Sequence, residues 1–284
     1  MQSIKWNHYH DIYQGHQHHV VGAIQVGRQV KSPQLGNQRD ILVYLPPSYG
    51  TNERRYPVLY MHDGQNLFDN ATSFAGKWGV DETMESLSRE SGLEAIVVGV
   101  PNMGPARLAE YSPFVDPHLG GGQGRAYVTF LAHTLKPLID RDFRTLPDKL
   151  HTGIMGSSMG GLISLYAFFQ QPHIFGFTGV MSPSLWFAQK GIYNFVKKAP
   201  FHQGRIYLDA GTREMGGSPR TLAQRAHSRR YYASVRHLKR ILIRKGYRPI
   251  HELLHIEEKW ASHSETAWAR RLPQAIRFFL EQVS

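Results

Sequence analysis

From Tyr56 onwards, short and continuously apolar runs alternate along the chain with longer stretches of helical periodicity. Such runs are typical of parallel strands that are buried on both faces of a sheet, and the helices between them are typical of crossover connections. The pattern predicts six strands, at residues 57–62, 95–100, 150–155, 177–181, 205–210 and 252–256. It also predicts helices, at residues 78–91, 126–139, 161–169, 221–245 and 265–283.

The segment before Tyr56 has a different pattern. Residues 19–30 and 39–45 alternate or run apolar, are rich in β-branched residues and are separated by Gly and Pro, which predicts an antiparallel pair. A chain of 284 residues lies near the upper limit for one hydrophobic core. We therefore expect one α/β domain over residues 1–284, with residues 1–38 as an N-terminal extension and first strands. The expected sheet is doubly wound and mostly parallel, with antiparallel N-terminal strands.

The pentapeptide at residues 156–160, Gly-Ser-Ser-Met-Gly, lies between a predicted strand and a predicted helix. In a G-x-S-x-G turn, the glycines let backbone pack closely around the central serine, whose hydroxyl is exposed as a nucleophile. Ser158 is that serine, because Met155 and Met159 are too bulky for the flanking positions around Ser157. We predict Ser158 as nucleophile and the Met159 N–H as an oxyanion donor. A tight structural turn is the alternative.

A second oxyanion donor is expected in the loop after the predicted strand 57–62, because functional loops in such sheets follow the carboxyl ends of strands. This loop begins with Asp63 and Gly64, and the next residue, Gln65, is the best candidate for the donor N–H. The alternative is a turn that only needs the Asp-Gly pair.

A nucleophilic serine needs a general base, and the chain order serine, acid, histidine fits this architecture. His263 follows the last predicted strand in a loop and is the candidate base. Two residues remain candidates for the acid that orients the base. Glu214 follows a Gly-Thr turn and is preferred, because orienting an imidazole requires loop geometry. Asp209 lies inside a predicted strand and is alternatively a buried structural residue.

The formal net charge is +11, and much of it falls on the predicted helix 221–245. The apolar stripe of that helix consists of Tyr231, Val235, Leu238 and Leu242. The pattern favours a solvated outer helix docked on the sheet, with attraction of an anionic substrate or surface as the alternative. No nucleic-acid-binding motif accompanies the charge, so we expect no nucleic-acid partner.

Two histidine patterns suggest metal binding, but neither has the necessary framework. Histidines 8, 10, 16, 18 and 19 are clustered without a frame of carboxylates, and residues 251–255 match H-E-x-x-H on a predicted strand, whereas that zinc motif requires a helix. We therefore expect no metal and no cofactor. The absence of cysteine excludes disulfides and thiol catalysis. Without a long apolar run or a secretory leader, we expect no membrane partner and a cytoplasmic location.

Together, these segments resemble the Putative esterase family of α/β-hydrolases, which includes esterase D, enterochelin esterases, feruloyl esterase domains and mycolyltransferases. The resemblance runs from about Asp40 to the C-terminus. Its carriers are residues 43–47, 62–66, Gly99, Arg107, Glu110, Tyr111, residues 156–161, 182–186 and 211–214, His263 and Trp268.

The resemblance implies an α/β-hydrolase fold and a serine carboxylic-ester hydrolase that forms an acyl-enzyme through Ser158, His263 and Glu214. Many members have Asp at the position of Glu214, so a Ser-His dyad also stays open. An acyltransferase with the same residues and a non-catalytic binding protein on the same fold are the alternatives. The expected partner is a small-molecule ester, and the oligomeric state stays undetermined.

Three further residues are candidates for substrate binding. Arg107 resembles a substrate-side residue of the family, and the alternative is a structural ion pair with Glu110. Trp186 and Trp260 are candidates for the walls of an aromatic acyl pocket, and the alternative is that both fill the core. The net positive charge favours anionic or aromatic esters as substrates.

Overall fold

The computed structural model describes residues 2–215 and 221–281, and its centre is a nine-stranded sheet. The strands of the chain are β1 (Trp6–His8), β2 (Ala23–Ser32), β3 (Asn37–Leu45), β4 (Val58–His62), β5 (Ile96–Val100), β6 (Val115–Asp116), β7 (Gly120–Gly121), β8 (Thr152–Ser157), β9 (Phe177–Met181), β10 (Arg205–Gly211) and β11 (Leu253–Glu258). The order across the sheet is β1-β2-β3-β5-β4-β8-β9-β10-β11, and β6 pairs with β7 separately.

The helices lie mostly between successive strands. They are α1 (Tyr9–Ile12), α2 (Val80–Ser91), α3 (Arg107–Glu110), α4 (Gly124–Phe130), α5 (Lys136–Asp142), α6 (Met159–Gln170), α7 (Phe187–Lys198), α8 (Leu222–Lys245) and α9 (Glu265–Leu280). A π-helical turn, Leu131–Leu135, joins α4 to α5, where one regular helix was expected. None of the described helices has both the length and the apolar character that crossing a bilayer requires.

The strand directions follow the predicted arrangement. The pairs β5–β4, β4–β8, β8–β9, β9–β10 and β10–β11 are parallel, whereas β1–β2, β2–β3 and β3–β5 are antiparallel. The predicted mostly parallel sheet with antiparallel N-terminal strands is thus confirmed. The six predicted parallel strands end within two residues of their predicted bounds.

The two faces of the sheet carry separate apolar clusters. Along β4, Val58 and Tyr60 pack with residues of α4 to α8, whereas Leu59 and Met61 pack with residues of α2 and α9. This alternation is the period of a β-strand, and it explains why a strand covered on both faces is apolar throughout. Helices cover both faces, as the doubly wound arrangement requires.

Three parts of the chain differ from the sequence-based expectation. The start is docked rather than a simple extension: β1 pairs with β2, and Asp69 accepts a 2.8 Å hydrogen bond from the Tyr9 hydroxyl and lies 2.8 Å from His18 Nδ1. The glycine-rich segment near Gly120, where no strand was predicted, forms the hairpin of β6 and β7. The helix α7 was not predicted, and the predicted end of the last helix, residue 283, lies outside the described residues.

Candidate active site

Ser158 lies at the junction between β8 and α6 with φ 57° and ψ −119°. A positive φ is strained for a residue with a Cβ and is found mainly where surrounding structure enforces it. The adjacent turn is tight: a Cβ at Gly156 would lie 2.9 Å from a ring carbon of His62 and 3.0 Å from the carbonyl carbon of Gly160. Glycine at position 156 therefore permits the sharp turn from strand to helix that carries the serine.

The backbone and side chain of Ser158 are held by the last residue of β9 and by the loop that follows this strand. Its N–H donates to the Met181 carbonyl at 3.0 Å, and its own carbonyl accepts from the N–H of Ser184 at 2.9 Å. The hydroxyl oxygens of Ser158 and Ser184 are 3.1 Å apart. Within the described residues, no hydrogen bond joins the Ser158 hydroxyl to the ring of His263.

His263 and Glu214 are in direct contact, with 2.6 Å between Nδ1 of the imidazole and Oε2 of the carboxylate. Glu214 is buried just after β10, and its other oxygen accepts from the Ser182 hydroxyl at 2.7 Å and from the Gly211 N–H at 2.5 Å. His263 lies in the loop before α9, whose N-cap, Ser264, accepts from the Ala267 N–H. Donors on both carboxylate oxygens fix the orientation of the acid, and through it that of the imidazole.

Two aromatic rings enclose the imidazole of His263. The Tyr231 ring lies edge-on at 5.6 Å between centroids, and the Trp268 ring lies edge-on at 4.9 Å. Tyr231 also donates its hydroxyl to the Ser182 carbonyl at 2.6 Å. The packing leaves the imidazole side chain 28% exposed, so part of it is accessible to solvent.

Asp209, the other candidate acid, has different partners. It accepts from the Ser182 N–H at 2.9 Å and from Nε of Arg271 at 2.8 Å. Burial raises the pKa of the Asp209 carboxyl, although the Arg271 charge opposes that rise. The structure therefore brings Glu214 rather than Asp209 against His263, because Asp209 lies inside β10 and turns towards α9.

The loop that bears Gln65 follows β4, with Asp63 at φ 56° and then a 3₁₀ turn, Gly64–Asn66. A Cβ on Gly64 would lie 2.7 Å from backbone atoms at the end of β5, so this loop packs directly on the sheet edge. The Gln65 side-chain oxygen accepts from the Asn102 N–H at 3.1 Å. Within residues 2–215 and 221–281, neither the Gln65 N–H nor the Met159 N–H has a hydrogen-bond acceptor, which leaves both free for an oxyanion.

Arg107 supports the same loop. Its Nε and Nη2 donate to the two oxygens of Asp63 at 2.7 and 2.8 Å, and the Asn102 amide donates to the same carboxylate at 2.6 Å. Burial alone would raise the pKa of Asp63, but Arg107 and Asn102 hold it below its ordinary value. The alternative ion pair of Arg107 with Glu110 is wrong, because Glu110 forms a bidentate pair with Arg39.

The two candidate tryptophans are on the surface, so the core-filling alternative is wrong for both. Trp186 is 50% exposed and Trp260 is 67% exposed. Trp186 lines a cavity of about 910 Å³. The other residues around this large cavity are Lys190, Tyr193, Met215, His227, Arg230, Tyr231, Ala233, Ser234 and His237. Trp260 lines a different cavity, of about 580 Å³.

The H-E-x-x-H residues do not lie on a helix. His251 and Glu252 are in a turn, and His255 is in β11, as expected. Burial lowers the pKa of His255 to about 4. Among the described residues, no group of three or more histidine and acidic side chains is arranged to bind a metal ion.

The sequence did not identify Ser182, Ser184, Tyr231 and Arg271 as parts of the site. The two serines directly follow a buried strand, and that position was the available signal for them. Tyr231 was recognised only as a member of the apolar stripe. Arg271 had no signal, because a buried arginine and an exposed one such as Arg270 look alike on an amphipathic helix.

The chain is similar to known proteins in sequence and in fold. The family model described as "Putative esterase" matches residues 32–279. "Uncharacterized protein YbbA" of Bacillus subtilis is 30% identical over 186 residues, which cover 63% of this chain and 70% of that protein. The "Endo-1,4-beta-xylanase/feruloyl esterase" of Xylanibacter ruminicola is 28% identical over 159 residues, which cover 53% of this chain and 20% of that protein. The structure of the siderophore hydrolase EstA from Aspergillus nidulans aligns with a TM-score of 0.73 at 17% identity, covers 92% of this chain and 95% of that one, and shares the fold.

Proposed function

The chain belongs to the Putative esterase family and is an ester hydrolase, and we propose that it acts on carboxylic esters through an acyl-enzyme on Ser158. The observation that carries this proposal is the 2.6 Å contact between His263 and the buried Glu214, whose carboxylate is bonded to Ser182 in the segment that also holds the strained Ser158. A strained serine, a histidine and a carboxylate that orients it are the parts of a nucleophilic triad. Family membership favours the hydrolase over the non-catalytic alternative.

In the proposed reaction, the Ser158 hydroxyl turns from Ser184 towards Nε2 of His263 when the ester binds. Ser158 Oγ attacks the carbonyl carbon as its proton passes to Nε2, while Nδ1–H stays bonded to Glu214. The tetrahedral intermediate collapses with cleavage of the C–O bond, and His263 returns the proton to the departing alcohol. Water then attacks the acyl-enzyme with His263 as base, which releases the acid and restores the serine.

The negative charge on the carbonyl oxygen is stabilised by two backbone donors, the N–H groups of Met159 and Gln65. Met159 is the first residue of α6, so its N–H has no acceptor within the helix and lies at the positive end of the helix dipole. The contacts of Asp63 with Arg107 and of Gln65 with Asn102 support the second donor. Fixed donors of this kind need no reorganisation as charge develops.

The acyl group is proposed to occupy the large cavity beside Tyr231, whose ring contacts His263. Trp186, Tyr193 and Tyr231 supply aromatic walls, and Lys190 and Arg230 supply positive charge. These walls favour an aromatic acyl group with anionic substituents. Relatives with feruloyl esterase and siderophore hydrolase in their names are consistent with esters of aromatic or siderophore-type acids.

The nucleophile is tested with a fluorophosphonate probe and with Ser158→Ala. We expect one adduct on Ser158, and a loss of at least about 10³-fold in kcat on an activated ester such as p-nitrophenyl acetate for the variant. Ser157→Ala is the matched control and should keep both labelling and activity. A folded Ser158→Ala variant with the full rate of the parent protein would sink the proposal.

The acyl pocket is tested by comparing Trp186→Ala with Trp260→Ala on methyl ferulate and on a short acetyl ester. Trp186→Ala should lower kcat/KM for the ferulate by about tenfold or more and leave acetyl-ester turnover nearly unchanged. Trp260→Ala should affect neither substrate selectively, because Trp260 does not line the large cavity. Equal effects of the two substitutions would contradict the assignment of the pocket without affecting the assignment of Ser158.

A further inference from the structure

A second surface cavity is lined in part by the two loops that carry Glu214 and His263. It has a volume of about 580 Å³, and we call it the arginine cavity. Its lining residues are Thr212, Arg213, Arg225, Ser228, Arg229, Tyr232 and Trp260. The described residues around it thus supply three guanidinium groups, three hydroxyl groups and two aromatic rings, and no carboxylate.

The arginine cavity is separate from the large cavity beside Tyr231. Its α8 residues recur at positions 225, 228, 229 and 232, which is the spacing of one helix face. The large cavity is lined from α8 by residues 227, 230, 231, 233, 234 and 237, most of which lie on the opposite face. Helix α8 therefore lies between the two cavities, and a ligand that occupies one cavity does not occupy the other.

No acidic side chain is among the described residues that line the arginine cavity. Three acids in the neighbouring segments have other partners: Glu214 contacts His263 at 2.6 Å, Glu257 is bonded to Arg236 at 2.6 Å, and Glu258 is bonded to Arg270 and Arg271 at 2.8 to 2.9 Å. In the part of the chain that the structure describes, no ion pair includes Arg225 or Arg229. Arg225 and Arg229 line the same cavity, and like charges that share a cavity repel one another, so a bound anion relieves their repulsion.

One wall of the arginine cavity is held in a defined position. Trp260 is 67% exposed and has φ 68°, a left-handed conformation that is unusual for a tryptophan. Its backbone N–H donates to the Thr212 hydroxyl at 2.9 Å, which holds the main chain of this residue, and the Arg213 guanidinium lies 4.1 Å from the centre of its ring. The exposed indole therefore presents a flat surface that is stacked with one of the guanidinium groups.

We propose that the arginine cavity is an anion-binding site, distinct from the reacting centre, for an oxyanion with at least two negative charges. Guanidinium groups donate in pairs to phosphate, sulfate and carboxylate oxygens, and charge-assisted hydrogen bonds of this kind are strong. The hydroxyl groups of Thr212 and Ser228 provide further polar lining, and Trp260 accommodates a planar part of a larger ligand. The shared ligand chemistry is a multiply charged oxyanion, either a phosphate or a polycarboxylate.

The test is isothermal titration calorimetry with inorganic phosphate and with citrate, at constant ionic strength. The double variant Arg225→Gln/Arg229→Gln should bind at least one of the two anions about tenfold or more weakly than the parent protein. The double variant Arg240→Gln/Arg244→Gln removes the same charge from exposed positions further along α8 and should bind within about twofold of the parent. Preference for phosphate would identify a single tetrahedral oxyanion, and preference for citrate would identify a polycarboxylate.

Three results would overturn the proposal. Absence of saturable binding of both anions would show that the cavity is not a site. Equal weakening in the two double variants would show a general effect of charge. Loss of binding after fluorophosphonate labelling of the serine would place the anion at the reacting centre. Thermal denaturation of both double variants checks that they are folded.

Discussion

Arg271 and Asp209 form a buried ion pair, with 2.8 Å between Nε and Oδ2. The same guanidinium also donates to the Ser182 hydroxyl at 3.0 Å and to Glu258 at 2.8 Å. One residue of α9 thereby joins the carboxyl ends of β9, β10 and β11. Because Ser182 in turn donates to Glu214, the pair also supports the carboxylate that orients His263.

Arg271→Met should therefore destabilise the fold strongly. The substitution leaves the Asp209 carboxylate buried without its partner, and breaking a buried pair in this way costs about 3–5 kcal/mol. The neighbouring Arg270, whose side chain is 54% exposed, also pairs with Glu258. Arg270→Met should cost no more than about 1 kcal/mol. Urea denaturation measures the unfolding free energy of both variants, and equal losses of stability would contradict the assigned role of Arg271.

Glu214→Gln should lower kcat by about 10³- to 10⁴-fold with little change in KM, because the amide no longer holds the imidazole in the tautomer that accepts the serine proton. Glu257→Gln is the control, since Glu257 pairs with Arg236 on the surface, and it should keep the parent activity. The measurement is steady-state kinetics on an activated ester. Near-parental activity of Glu214→Gln would instead support a Ser-His dyad.

Gly64→Ala should impair both stability and turnover. The added Cβ would meet the backbone of Gly99, Val100 and Pro101 at 2.7 Å, so the loop that bears Gln65 has to move. We expect a cost of about 1–3 kcal/mol in unfolding free energy and a fall in kcat of up to about 10²-fold from a displaced oxyanion donor. At Gly50, a Cβ would meet nothing within 4 Å, so Gly50→Ala should leave kcat unchanged.

The pair of Asp63 with Arg107 predicts a pH dependence of stability. The pKa of Asp63 is lower in the folded protein than in the unfolded chain, where it is about 3.9. The contribution of Asp63 to the free energy of unfolding is therefore present above the unfolded pKa and is lost as pH falls through the folded pKa. The difference in unfolding free energy between the parent protein and Arg107→Met should thus be largest near neutral pH and shrink below about pH 4.

The control for this pH dependence is Arg28→Met, because Arg28 lies 3.9 Å from Asp40 at an exposed site. The difference in unfolding free energy between Arg28→Met and the parent protein should be small at every pH. Chemical denaturation at several pH values between neutral and acid measures all three proteins. If the difference in unfolding free energy between Arg107→Met and the parent protein stays constant down to strongly acid pH, Arg107 does not act through the Asp63 charge.

The sequence by itself determined the parallel strands, the turn around Ser158 and the loop position of His263. Each of these depends on residues close together in the chain: apolar runs, flanking glycines and the end of a strand. It did not predict α7 or β1, nor the irregular turn between α4 and α5. The edge strand β1 has little apolar surface, so its pairing with β2 left no periodic signal.

Only the tertiary structure decided how the acid and its supports are arranged. His263 and Glu214 are 49 residues apart in the chain, and Arg271 and Ser182 are 89 residues apart. Asp209 lies within β10 and is bonded to Arg271 of α9, whereas Glu214 lies in the turn after β10 and contacts the imidazole. This arrangement follows from packing and from satisfying buried charges across several elements, which local sequence patterns do not encode.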